Sequence, residues 1–253
     1  MTGTLDDWAV RWYPSPDAPL RLFCVPHSGG GAATYRDWAR RLAPDIEVVA
    51  VRLPGRETRF REPPYHSVDQ MIPDLLAALS PLLDRPHSWF GHSMGALVAY
   101  EMCRALGPER ATRLVVAARP APHLADDGPS LHDAPTDDFL AGLHALNGTP
   151  EELRGQRGAL LTFLPTLRAD FAVVETYAPR PGPLLSCPVV AYGGSDDAVA
   201  SYEQLAGWDS CTDAGCSVRL FPGGHFFVHE HPDLVLPALA AELARTEETS
   251  DRH

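Results

Sequence analysis

With 253 residues, 45% of them hydrophobic and 21% charged, the chain has the apolar material for a large buried core, which excludes global disorder. Its formal net charge of -12 argues against a general nucleic-acid binder, because such proteins need excess Lys and Arg to displace counterions from phosphates. Residues 1–7 hold no basic stretch ahead of an apolar one and no window nears about 18 uninterrupted apolar residues, so a soluble, non-exported, cytoplasmic protein without a membrane partner is expected.

Along the chain, Leu20 to Pro26 reads as a strand running into the glycine loop His27-Ser28-Gly29-Gly30-Gly31, and Ala33 to Leu42 has helical spacing. Ile46 to Val51 is a second short apolar strand closed by Leu53-Pro54-Gly55, and residues 68–83 repeat apolar positions at helical intervals, with Pro73 early in that helix or kinking it. Ser88-Trp89-Phe90 is a brief strand; Met94 to Leu106 is strongly helical and stops near Gly107-Pro108. Further strands are expected at 114–118, 188–192 and 217–221. Strands alternating with helices predict a mostly parallel sheet covered on both faces, and in such sheets ligands bind at the carboxyl ends of strands.

The stretch between the strands at 114–118 and 188–192 breaks this alternation. Thr136-Asp137-Asp138-Phe139 starts one helix, Thr149-Pro150-Glu151-Glu152 is a capping box, and Ala159 to Tyr177 is a long amphipathic stretch. The expectation is a single domain over 1–253 with a helical lid insertion at about 125–180. Phe139, Leu143, Phe163, Leu164 and Phe171 would line an acyl site beneath it, the alternative being helices that only pad the sheet. The tail from Arg245 is expected to fray. Five scattered cysteines, odd in number and never in Cys-x-x-Cys, argue against a disulfide framework or zinc knuckle and fit a reducing cytoplasm. The acceptor pattern Asn147-Gly148-Thr149 should stay unmodified without export.

The chemistry concentrates at Gly91-His92-Ser93-Met94-Gly95. As five letters the pattern Gly-x-Ser-x-Gly is common; a strand before it and a helix after it make it the nucleophile elbow of an α/β-hydrolase fold, with Ser93 projecting above the sheet. That fold orders its triad as Ser, then Asp or Glu after a late strand, then His near the C-terminus. Gly193-Gly194-Ser195-Asp196-Asp197 and Pro222-Gly223-Gly224-His225 occupy those places, and spacing alone leaves Asp196 and Asp197 both open as the acid. The oxyanion donors would be the backbone N–H groups of Met94 and Ser28. His27 reads as a loop-ordering residue. A metal site built from His225, His229 and His231 lacks a helical i, i+4 frame and a carboxylate neighbour, and no metal or cofactor is expected.

Taken together, Phe23 to Gly30, Leu53-Pro54-Gly55-Arg56-Glu57, Phe90 to Ala96, Leu167-Arg168-Ala169-Asp170-Phe171 and Phe221 to Phe227 resemble the type II thioesterases that accompany modular polyketide and nonribosomal peptide synthases. The resemblance spans about residues 20 to 230. It implies hydrolysis of acyl groups from the phosphopantetheine thiol of an acyl or peptidyl carrier protein. The same triad would serve the alternative, an esterase or acyltransferase for small free substrates, and a monomer is expected. It also favours Asp197 as the acid, from its place in the Gly-Gly-x-x-Asp run about eleven residues before Trp208. Ala198 departs from the Pro usual after that Asp, and Ser28 from the usual Ala. Arg52, Arg56, Arg59 and Arg61, with Arg36, Arg40 and Arg41 on the preceding helix, could form a docking patch for the carrier or be paired internally with Glu57 and Glu62.

Overall fold

A computed structural model describes residues 3–108, 110–124, 130–145 and 157–244. The Asn147-Gly148-Thr149 acceptor, the Thr149 to Glu152 capping box and the tail from Arg245 lie outside the described residues, and the 125–180 insertion is described only in part.

Leu5–Trp8 (α1) leads into Ala9–Val10 (β1), and then come Leu20–Val25 (β2), Arg36–Leu42 (α2) and Ile46–Val51 (β3). Val68–Leu79 (α3), His87–His92 (β4), Met94–Leu106 (α4) and Ala111–Ala117 (β5) follow. After β5 come Thr136–Ala145 (α5) and Arg157–Glu175 (α6), and the chain then returns to the sheet at Val189–Gly194 (β6). Tyr202–Ala206 (α7), Cys216–Phe221 (β7), Phe227–Glu230 (α8) and Pro232–Ala244 (α9) complete the described chain. The seven strands lie in the order β1-β3-β2-β4-β5-β6-β7, with β1 antiparallel on β3 and every other pairing parallel. This is the mostly parallel sheet of an α/β-hydrolase fold, as the alternation of strands and helices predicts. Among the described residues, no helix is long and apolar enough to cross a membrane.

Alternation along each strand sends successive side chains to opposite faces. Phe23, Val49, Val51, Trp89, Leu114 and Val116 meet α3 and α4 on one face; Leu22, Cys24, Val48, Phe90, Val115 and Tyr192 meet α2 and α9 on the other. Phe23 and Trp89 stack across β2 and β4 with ring centroids 4.5 Å apart. Because both faces are covered, β2, β3 and β6 read as nearly continuous apolar runs, broken by Arg21 and Glu47, rather than as alternating patterns, while edge strand β7 is largely exposed. The apolar residues of α9 continue the second face, with Val235, Leu236 and Leu239 buried in it. The insertion makes a small core of its own, in which Phe139, Leu140, Leu143, Leu160 and Leu167 are buried.

At the turn from β4 into α4 three backbone segments come very close together. A Cβ at Gly91 would lie 2.1 Å from the carbonyl oxygen of Gly95, and one at Gly95 would lie 2.1 Å from the carbonyl oxygen of Val25 in β2. Neither obstacle is a side chain that can swing aside. Gly95→Ala is therefore expected to destabilise the protein by about 1–3 kcal/mol or more. Gly158→Ala, in α6 with open space around it, should stabilise by about 0.5–1 kcal/mol. Paired thermal melts check the contrast, and equal melting temperatures for the two variants would contradict the packing described.

Candidate active site

Ser93 sits between β4 and α4 with φ 54° and ψ -114°, a left-handed conformation that a non-glycine residue rarely adopts. Such a residue costs on the order of 1–3 kcal/mol and persists only where its surroundings over-determine it. Here the Ser93 N–H donates to the Ala117 carbonyl of β5 at 2.8 Å, and the Ser93 carbonyl accepts from the Ala96 N–H at 3.0 Å.

The loops after β6 and β7 converge on this serine. They are laced together by the Ser195 N–H donating to Phe221 O at 2.8 Å and the Asp196 N–H donating to Gly223 O at 2.9 Å. His225 Nε2 lies 3.0 Å from Ser93 Oγ, and its Nδ1 lies 3.0 and 3.2 Å from the two oxygens of Asp197. The Asp197 side chain is fully buried and that of His225 is 11% exposed. Asp197 Oδ1 also accepts the Val199 N–H at 2.8 Å, which helps fix the carboxylate. An Nδ1–H donated to a carboxylate leaves Nε2 with a lone pair toward the serine. Between the two aspartates that spacing left open, the structure sets Asp197 against His225, while exposed Asp196 accepts only from the Ser195 hydroxyl at 3.2 Å.

The glycine loop after β2 is held by a buried ion pair from two distant segments. Asp170 on α6 accepts the Gly29 N–H at 2.6 Å through one oxygen and Arg56 Nη2 at 2.7 Å through the other. Arg56 in turn donates to the Gly30 carbonyl at 2.8 Å and to the Pro54 carbonyl at 3.2 Å. Thr166 adds a 2.7 Å hydrogen bond to the Gly55 carbonyl. The Pro-Gly-Arg-Glu and Leu-Arg-Ala-Asp segments are thus two halves of one clamp. Sequence reasoning gave Asp170 no role, since its partners lie 114 and 141 positions away.

The clamp also revises the arginine cluster. Arg56 is buried beside Asp170; Arg59 is buried, paired with Glu62 at 2.7 Å, with its guanidinium 3.9 Å from the Trp8 ring. Arg52 pairs with Glu57, Arg40 with Asp37, and Arg41 with Asp233. Of the seven, Arg36 and Arg61 alone are exposed and without an ion pair among the described residues.

An open cavity of about 180 Å³ adjoins the glycine loop, lined by Gly29, Gly31, Gly55, Arg56, Phe163 and Leu167 among others. Phe163 is 42% exposed and packs edge-on against Phe60, with ring centroids 5.7 Å apart. The other residues expected at an acyl site do not line this cavity. Phe139 and Leu143 are buried in the insertion's own core, with Leu164 and Phe171 packed against that core.

His27 does not join Ser93 and Asp197. It packs against His92 and His229, with ring centroids 5.0 and 5.3 Å away. Burial, reinforced by the neighbouring His229, His225 and Arg56 charges, pushes its pKa down to about 3. Burial likewise lowers His229 to about 4 and His92 well below the usual imidazole range. His92 lies 2.8 Å, through Nε2, from the carbonyl oxygen of His225. The grouping of His225 with His229 and His231 does not form; His229 joins His27 and His92 instead.

Comparison with known proteins agrees with this geometry. A family model described as a thioesterase domain matches residues 20–243. The chain is 38% identical over 243 residues to a Brevibacillus parabrevis protein named linear gramicidin dehydrogenase LgrE, covering 92% of each chain. It is 36% identical over 227 residues to thioesterase PikA5 of Streptomyces venezuelae, covering 88% of this chain and 80% of that one. Among solved structures, the type II thioesterase BorB from the borrelidin biosynthetic cluster superposes with a TM-score of 0.86 at 36% identity, covering 96% of this chain and all of the other. The chain belongs to the thioesterase family and is a hydrolase of that family.

Proposed function

We propose that Ser93, His225 and Asp197 are the catalytic triad of an editing thioesterase, which removes acyl groups from the phosphopantetheine arm of acyl or peptidyl carrier proteins in polyketide or nonribosomal peptide biosynthesis. The observation that carries this reading is the unbroken run from Asp197 through His225 to Ser93, each step 3.0 Å, beside a glycine loop and an open cavity. The names of PikA5 and BorB support the substrate class. We place this activity in the cytoplasm, in a monomer forming one domain over 1–253, with the helical insertion at about 125–180 as its lid.

Ser93 Oγ attacks the thioester carbonyl as His225 Nε2 takes its proton, and Asp197 holds the imidazole in the receptive tautomer and stabilises the imidazolium. Oxyanion charge falls on the amides of Met94, at the first position of α4, and Ser28. Ser28 suits the task because the next two amides of its loop are committed, Gly29 to Asp170 and Gly30 to the His27 carbonyl. His225 returns the proton to the departing thiol. Water, deprotonated by the same imidazole, then hydrolyses the acyl-serine and restores the enzyme.

Ser93→Ala should lower kcat by several orders of magnitude, and adding His225→Ala should cost little more, because triad members act as a unit. Asp197→Asn should lower kcat on the order of 10⁴-fold, with Asp196→Asn mild; steady-state kinetics showing the reverse order would reassign the acid. Asp170→Asn leaves Arg56 buried without its charge partner, which should cost about 3–5 kcal/mol of stability. The loosened glycine loop should also lower kcat on the order of 10²-fold. A destabilised variant with unchanged kcat at low temperature would show that the clamp does not position the oxyanion donors. The substrate class is tested by offering one acyl group on a carrier protein, on a pantetheine mimic and as a simple ester. Preference for the ester would favour the small-substrate esterase.

A further inference from the structure

His27, His92 and His229 arrive from the β2 loop, the end of β4 and the short helix α8, yet one ring nitrogen of each lies within 4.8 Å of those of the other two. Their ring centroids form a nearly equilateral triangle, 5.0, 5.2 and 5.3 Å on its sides. Each residue contains a buried ring nitrogen with no hydrogen-bond partner: Nδ1 of His27, Nδ1 of His92 and Nε2 of His229. Native structures seldom leave one such atom unpaired, and here all three belong to residues of one cluster, which calls for a common explanation.

His92 is fully buried and defines the chemistry. Its Nε2 sits 2.8 Å from the His225 carbonyl oxygen, which can only accept, so Nε2 carries the proton and Nδ1 is left with its lone pair. A histidine that donates one ring N–H to a backbone carbonyl and offers the other nitrogen is the usual form of a metal-ligating histidine. Phe226 packs edge-on over His27 and His92 at 5.2 and 5.6 Å and covers the cluster with an apolar ring. The donor set is three imidazoles with no carboxylate, which suits zinc-type transition ions and not magnesium or calcium.

We propose that His27, His92 and His229 bind one divalent transition-metal ion of the zinc type, which ties together the loops carrying Ser28, Ser93 and His225. A tetrahedral zinc site with nitrogens about 2.0–2.1 Å from the ion sets them about 3.3 Å apart, so the rings close inward on loading. A ligand precedes Ser28, another precedes Ser93, and the third lies one helical turn beyond His225. The ion's role is to fix these loops; it takes no part in the reaction.

The test uses full-length protein stripped with a chelator and titrated with Zn²⁺ by calorimetry and with Co²⁺ by visible absorption. One saturable equivalent is expected, with a higher melting temperature and the intense visible bands of four-coordinate Co²⁺. His229→Gln, and separately His27→Gln, should weaken binding at least about tenfold and erase the gain in melting temperature. His66→Gln, at a surface histidine, should change nothing. Absence of a saturable equivalent, a weak six-coordinate Co²⁺ spectrum, or binding by the His229 and His27 variants as tight as the parent's would overturn the proposal. If His27→Gln fails to fold, His229→Gln alone decides. These readouts do not use hydrolysis, and Ser93→Ala protein should bind the ion as the parent does, so failure here is distinguishable from failure of the triad assignment.

Discussion

The chain turns from β4 into α4 at Ser93 with a positive φ, and that turn exists because Gly91 and Gly95 let three backbone segments pass within a distance no side chain permits. The remainder of the site depends on this crossing. It lifts the serine hydroxyl clear of the sheet and directs the first turn of α4 at the same space. It also brings the β2 loop, through Val25, against the base of the elbow. The strain is offset by the parallel ladder on either side, since Ser93 donates to β5 while β4 itself pairs with β2 along five residues. A strained turn at a sheet edge would relax; one at the centre of a seven-stranded sheet cannot.

Charge in this molecule is used internally. The chain carries a net charge of -12, yet most arginines of the region after β3 face inward or pair with neighbouring carboxylates, where burial makes geometry matter more than net charge. The Arg56–Asp170 pair is the clearest case, because each oxygen of Asp170 has its own donor and Arg56 reaches two carbonyls besides. A desolvated pair of this kind adds little net stability compared with well-packed apolar residues, but it permits only one arrangement of the loop it grips. Among the described residues of this region, what remains exposed and without an ion pair is small: Arg36, Arg61 and the aromatic pair Phe60 and Phe163.

Most of the sheet was legible in the sequence because β2, β3, β5 and β6 are mostly apolar runs, interrupted only near their starts by Arg21, Glu47, Thr112 and Arg113, and ended by glycine, proline or a polar loop; α4 begins and ends where its residues announce it. The order of Ser93, the two aspartates and His225 was legible for the same reason, as each follows a strand end. Elements too short for any period escaped, notably the four-residue α1 and the two-residue β1. So did α9, which is apolar on most sides and carries Pro237, so that its sequence lacks an amphipathic stripe. Choosing between Asp196 and Asp197 needed the backbone path, since one residue of register reverses which carboxylate points inward. The clamp and the histidine triangle were hidden because their members are far apart in sequence, and no local pattern encodes a contact of that span. The insertion residues carried a helical stripe, as expected, but one stripe cannot distinguish a helix facing a ligand from a helix facing its neighbour.

The clamp bears on how an acyl chain gets in. Moving the C-terminal half of α6 away from the sheet would break the Thr166 bond to Gly55, the Asp170 bond to Gly29 and the Asp170 pair with Arg56 at once. That half of the helix and the glycine loop therefore travel as one piece, and a flap hinged there would pull the glycine loop out of place each time it opened. Phe163 and Phe60, by contrast, are exposed and touch edge-on, and no polar bond ties either side chain in place. The part of α6 that grips the glycine loop is thereby the stiff end of the helix, and freedom of side-chain movement is confined to its exposed aromatic end.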